Sequence, residues 1–221
     1  MRTLNILKTV STVVAASVVT VIATTEKAGA ISIYLGNGID QPQIDSSFNF
    51  SQDGISLTAT GVTNTGARNV YQSILGLGVS DTNNPIDIGT NQIGGTIRVG
   101  ETLKLAFNQS VKLVSVTFSR VGNNDNFSLL VNGNQFVAAD IPGGNILDID
   151  VSKFSFNPSP TGNIFGFTVA DNNDDYLVKS VEVEAVPEPI TLAGMVMGSG
   201  FGGILFKKYK KGAKLSSKSS S

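Results

Sequence analysis

An all-β protein, with residues 31–185 folded as a β-sandwich of jelly-roll type, is the fold class this 221-residue chain predicts. Three observations carry the expectation. Apolar and polar residues alternate along run after run, the period of a strand with one buried and one wet face. Clusters of Gly, Asn, Asp and Pro separate the runs and supply turn chemistry. No window of ten or more residues in this body repeats its apolar positions at helical spacing.

The elements follow in chain order. Arg2 and Lys8 make a positive start, Thr9–Ala23 is an apolar run, and Ala28-Gly29-Ala30 supplies small residues for a peptidase pocket. Residues 1–30 therefore read as a secretory signal peptide, with Ala28 and Ala30 setting cleavage after Ala30. The apolar run is fifteen residues, short of the roughly 20 that a bilayer span needs. The mature chain then begins at Ile31.

Alternation recurs in the body at Ile55, Leu57 and Ala59, at Leu103, Leu105 and Phe107, and at Val114, Val116 and Phe118. It continues at Leu147, Ile149 and Val151, at Phe165, Phe167 and Val169, and at Val181, Val183 and Ala185. Asn132-Gly133 between Phe127–Val131 and Gln135–Ala139 predicts a hairpin. Eight to ten strands are expected. A body of this size buries about 70% of its unfolded surface, enough for a core without disulfides.

After Ala185 comes Val186-Pro187-Glu188-Pro189, then Ile190–Phe206, seventeen residues without a charge. As a helix that run rises about 26 Å, the short end of a membrane span. Lys207, Lys208, Lys210 and Lys211 follow at once. Positive flanks stay cytoplasmic, so the body is expected outside and the Lys/Ser-rich tail, residues 212–221, inside. Gly194, Gly198 and Gly202 recur every fourth residue, which suits close helix packing as well as a short Gly-rich span with no specific partner. Pro187 and Pro189 fix φ and push the residue before each out of helical conformation. Glu188 is thereby held extended, as a protease or transpeptidase reads its site.

Composition removes other classes. The chain has no Cys, no His and no Trp, which excludes zinc fingers, Ser/His and Cys nucleophilic sites and disulfide scaffolds. The net charge of −1 conceals a segregation. Residues 31–185 hold fifteen acids against seven bases, while residues 207–221 hold six lysines. An acidic body is unsuited to nucleic acid. A glycosidase needs two carboxylates across a cleft. Asp148 and Asp150 share one strand face, read as the solvated one because Leu147, Ile149 and Val151 take the other. No enzyme is expected.

The segment Val186, Pro187, Glu188, Pro189, with the apolar run to Phe206 and Lys207–Lys211, resembles the sorting signal of the PEP-CTERM family of exported bacterial proteins. The resemblance covers residues 186–211. It implies recognition by exosortase, an integral membrane cysteine transpeptidase, and release or transfer of the body to the cell surface. It also implies a bacterium that makes an extracellular polysaccharide matrix. The tail after Gly212 is longer than such signals usually carry. The stretch from Leu75 to Phe127, with Leu75-Gly76-Leu77-Gly78-Val79, Asp81, Asp87 and Glu101–Phe107, is similar to bodies that precede this anchor, and implies no activity.

Three loops concentrate oxygen ligands: Asp81–Asp87, Asn123–Asn126 and Asp171–Asp175. Asp and Asn are default turn residues, and no EF-hand spacing is present. The carboxylates of Asp171, Asp174 and Asp175 crowd within five residues, so a structural Ca²⁺ is the metal expectation there, with no other cofactor. The expected role is structural or adhesive at the cell surface or in the extracellular matrix. The alternatives are a secreted glycan- or calcium-binding module and a permanently anchored single-pass membrane protein.

Overall fold

The structure, a computed structural model, describes residues 29–38, 41–80, 91–94, 100–147, 149–169, 171 and 173–187. Within them the chain is all-β, with thirteen strands and no helix. In chain order these are β1 (Ile31–Tyr34), β2 (Gln43–Asp45), β3 (Ser47–Gln52), β4 (Ile55–Thr63), β5 (Gly66–Ser73), β6 (Gly76–Ser80) and β7 (Ile93–Gly94). They continue with β8 (Thr102–Val121), β9 (Asn126–Val131), β10 (Asn134–Asp140), β11 (Asp150–Ser155), β12 (Thr161–Val169) and β13 (Asp175–Ala185).

The architecture is organised by β8, a strand of twenty residues that changes partners along its length. Over Thr102–Phe107 it lies between β4 and β12, pairing Leu57 with Phe107 and Phe167 with Leu103. Over Ser115–Ser119 it lies between β13 and β11, pairing Val181 with Val116 and Phe154 with the same Val116. The strand thus belongs to two arms. The first runs β3–β4–β8–β12–β9–β10, and the second runs β1–β13–β8–β11. Strands β5 and β6 connect the arms: β5 continues the hairpin from β4, and Leu77 of β6 pairs with Val178 of β13. Gly76 fits there because a Cβ would lie 2.4 Å from the Val178 carbonyl oxygen, and its φ is +133°.

Period-2 alternation places one face of each arm against the other. Phe118, on the second arm, has its ring centroid 4.9 Å from Phe127 and 6.1 Å from Phe167, both on the first arm. Tyr176 stacks edge-on against the same ring at 5.0 Å. Ile55, Leu57, Leu103, Leu105, Val116, Val181 and Val183 complete a continuous buried core. Full burial of each such side chain contributes roughly 1.5–3 kcal/mol. The predicted hairpin forms at Asn132-Gly133, where φ of +50° and +86° closes the two-residue turn between β9 and β10.

Three expectations are corrected. Among the described residues the body holds thirteen strands rather than eight to ten, because short pairings such as β2 and β7 add to the long ones. The strands expected at Leu103–Phe107 and Val114–Phe118 are halves of one strand, because the backbone passes from one arm to the other without a turn. The alternation at Leu147, Ile149 and Val151 does not mark a buried face: these residues are 67%, 61% and 53% exposed. Pairing begins only at Asp150, and the inward positions of β11 are Ser152 and Phe154. Phe154 packs 4.9 Å from Phe127, and that contact sets the phase of the strand. Asp150, expected on the wet face, is half-buried and accepts from Asn145.

Candidate functional site

The body enters and leaves its sheet at one place. β1 starts at Ile31, the residue after the expected cleavage position, and pairs with Val183. β13 ends at Ala185, opposite Val111. The N–H of Val186 still donates to the Ser110 carbonyl at 3.1 Å, so the first residue of the expected sorting motif is tied to the corner of β8. Val186 is half-buried and Pro187 is exposed. A proline has no N–H to offer the next rung, so the ladder stops where the motif starts. Glu188, Pro189, the span over 190–206, the basic cluster Lys207–Lys211 and the signal segment up to Ala28 lie outside the described residues. Ala30 is described, exposed and outside any strand. Among the described residues no helix is long and apolar enough to cross a membrane.

The other end of β13 gathers the acidic loops. Asp125 is buried, with one carboxylate oxygen accepting from Gly122 N–H and the other from Asp175 N–H at 3.3 Å. This joins the loop after β8 to the loop before β13, and Asn124 Nδ2 adds a bond to the Asn173 carbonyl at 3.4 Å. Asp174, 1% exposed, turns back to accept from Asp171 N–H at 2.6 Å. Asp175 accepts from Gln92 Nε2, and Gln92 Oε1 in turn accepts from Arg120 Nε at 3.0 Å. Arg120 is the extra residue of β8 where it pairs with β11, at φ +55°.

The three carboxylates expected to share Ca²⁺ therefore take different directions. Asp171 is exposed, Asp174 closes its own loop and Asp175 points to Gln92. Among the described residues no three Asp or Glu side chains gather closely enough to hold a metal ion. The loop Asp81–Asp87 lies outside the described residues. A polar recess of about 460 Å³ opens beside Asp125, lined by Asn123, Asn124, Asn126 and Asp140.

Sequence reasoning placed Glu101 at the head of a strand but missed its burial. It is fully buried, one carboxylate oxygen accepts from Gly94 N–H at 2.9 Å, and its carbonyl accepts from Thr168 Oγ1. Tyr176 donates to the Thr168 carbonyl at 2.7 Å. Burial, and then the charges of Asp174 and Asp125, push the Tyr176 phenol well above the ordinary tyrosine value. Burial also raises Tyr71, against the pull of Ser73 and Arg120. On the outer face Lys153 Nζ lies 2.8 Å from Glu182 Oε2. Hydrogen bonds from Lys153 and Ser115 hold Glu182 below the usual carboxylate range. That pair is partly exposed and contributes under about 1 kcal/mol.

A second recess, about 550 Å³, lies where β3, β4 and β8 meet, lined by Asn49, Phe50, Ser51, Ser56, Thr58, Phe107 and Asn108 among others. Its polar groups bond one another: Thr58 Oγ1 donates to Asn49 Oδ1 at 2.7 Å, and Ser56 N–H donates to Asn108 Oδ1 at 3.1 Å. No family model, curated protein or solved structure matches this chain.

Proposed function

We propose that this is an exported bacterial surface or matrix protein with a structural or adhesive, non-catalytic role. Its body is a β-sandwich of jelly-roll type, delivered by a signal peptide and sorted by exosortase through a PEP-CTERM anchor. One observation supports the reading most: β1 starts at Ile31 beside β13, and the Val186 N–H makes a last rung to Ser110 before Pro187. An export signal and a membrane tether at these positions leave the fold from one end, so both reach the same bilayer without crossing the body. With no linker between sheet and motif, the tether fixes the orientation of the body until the processing enzyme cuts.

Intact-mass analysis of material at the cell surface tests this. The expected species begins at Ile31 and lacks Lys207–Ser221. Retention of the full-length chain in the membrane, unchanged when Pro187, Glu188 and Pro189 are all replaced by Ala, overturns it.

A further inference from the structure

Seven large apolar side chains are exposed among the described residues, and four of them fall within residues 146–151. They are Ile146 (83%), Leu147 (67%), Ile149 (61%) and Val151 (53%). The stretch is held in shape by polar bonds rather than by burial. Leu147 N–H donates to Asn145 Oδ1 at 2.8 Å, Asn145 Nδ2 donates to Asp150 Oδ1, and the Ser152 hydroxyl donates to the Pro142 carbonyl. The chain then enters β11, whose one partner among the described residues is β8. The second edge of β11 thus presents backbone N–H and C=O groups to solvent. The irregularity at the start of this pairing comes from the extra residue Arg120 in β8, so β11 itself is unbulged.

An apolar face beside an open backbone edge is what a further strand recognises. We propose that the occupant is a second copy of this chain, with β11 pairing antiparallel to its own copy about a twofold axis at Val151. In that register Val151 opposes Val151, Ile149 opposes the aliphatic stem of Lys153, and Asp150 opposes Ser152. No like charges meet. Lys153 carries its own counter-charge in Glu182, 2.8 Å away. The four exposed side chains present on the order of 450 Å² of apolar surface per copy. Two copies with their backbone edges bury about 1,000 Å² or more, the lower bound for a specific interface. The cation on this face, Lys153, is taken up by Glu182, which disfavours an anionic lipid surface as the occupant. Antiparallel pairing also turns the two Ala185 ends in opposite directions. If the chain is tethered there, a clause that rests on the proposed sorting, copies on opposing surfaces pair and copies on one surface do not.

The test exploits a chain without cysteine. Opposed residues of an antiparallel pair have Cα atoms about 4.5–5.5 Å apart, which is disulfide range. Full-length Val151→Cys, oxidised mildly, is expected to give a reducible dimer in about tenfold excess over Ser51→Cys, a control thiol on the exposed edge of β3. Adding Ile149→Lys to Val151→Cys sets like charges against Lys153 of the copy on both sides of the twofold axis, and is expected to abolish that dimer while the far-ultraviolet circular dichroism is kept. Equal dimer yields from the two cysteine positions overturn the proposal. So does a monomer that sediments with phosphatidylcholine–phosphatidylglycerol vesicles and loses them on Ile146→Asp. The crosslink reads β11 alone, so its outcome is separable from the mass measurement that reads sorting.

Discussion

At its C-terminal end β13 is secured by ladder bonds, Ala185 opposite Val111 and Val186 on the Ser110 carbonyl. At its N-terminal end, ten residues earlier, it is held by side chains: Asp125 on the Asp175 N–H, Gln92 on Asp175, and Asp174 closing the preceding loop. The difference teaches where specificity resides. Backbone rungs are indifferent to sequence, so the exit of the chain tolerates change and leaves the next residues accessible. Buried carboxylates are costly unless donors meet them, so the loop end is fixed by a few irreplaceable side chains.

Four measurements break or sharpen that contrast. The largest effect is expected at Phe118, which touches Phe127, Phe167 and Tyr176 at the loop end of the core. Phe118→Ala should lower the unfolding free energy by about 3–5 kcal/mol in urea titration. Next is Asp125→Ala, which strips the acceptor from the Gly122 and Asp175 N–H groups. It should cost on the order of 2–3 kcal/mol, and a cost no greater than that of an exposed-site substitution would erase the contrast.

The third is a pH effect. Tyr176 keeps its proton in the folded chain beyond the point where the unfolded chain releases it. Stability from this group is therefore complete below about pH 10 and declines as pH rises through the folded value. Chemical denaturation across the alkaline range should show that decline, and Tyr176→Phe should flatten it, at about 1 kcal/mol for the lost bond to Thr168. The smallest effect is at the chain end. Pro187 is exposed beyond the last rung, so Pro187→Ala should change the melting midpoint by the equivalent of less than about 0.5 kcal/mol.

Much of this contrast was legible in the sequence. The alternation at Ile55–Ala59, Leu103–Phe107 and Val181–Val183 marked core residues, and Asn132-Gly133 marked a turn, because both are local patterns with a local cause. β1 starts at Ile31 and β13 ends at Ala185. The continuity of β8 was not legible, since a strand that passes between arms contains no turn residue to announce the change. Nor was the outward face of Val151, because a period of two gives alternation without saying which phase meets the core; Phe154 decides that by packing on Phe127, 27 residues earlier in the chain. The acidic loops were seen one by one. Only the pairing of β8 with β13 brings Asp125 to Asp175, and no spacing in the sequence encodes it.

The adjacency of Ile31 and Val183 has one more consequence. Cross-strand neighbours lie about 5 Å apart, so a few residues of Gly and Ser would join the body into a closed ring. New ends opened at the exposed tip Asn132-Gly133 would leave every rung of the core strands in place, since circular permutation succeeds at such sites. The order in which the strands are written along the polypeptide is then separable from the object they build.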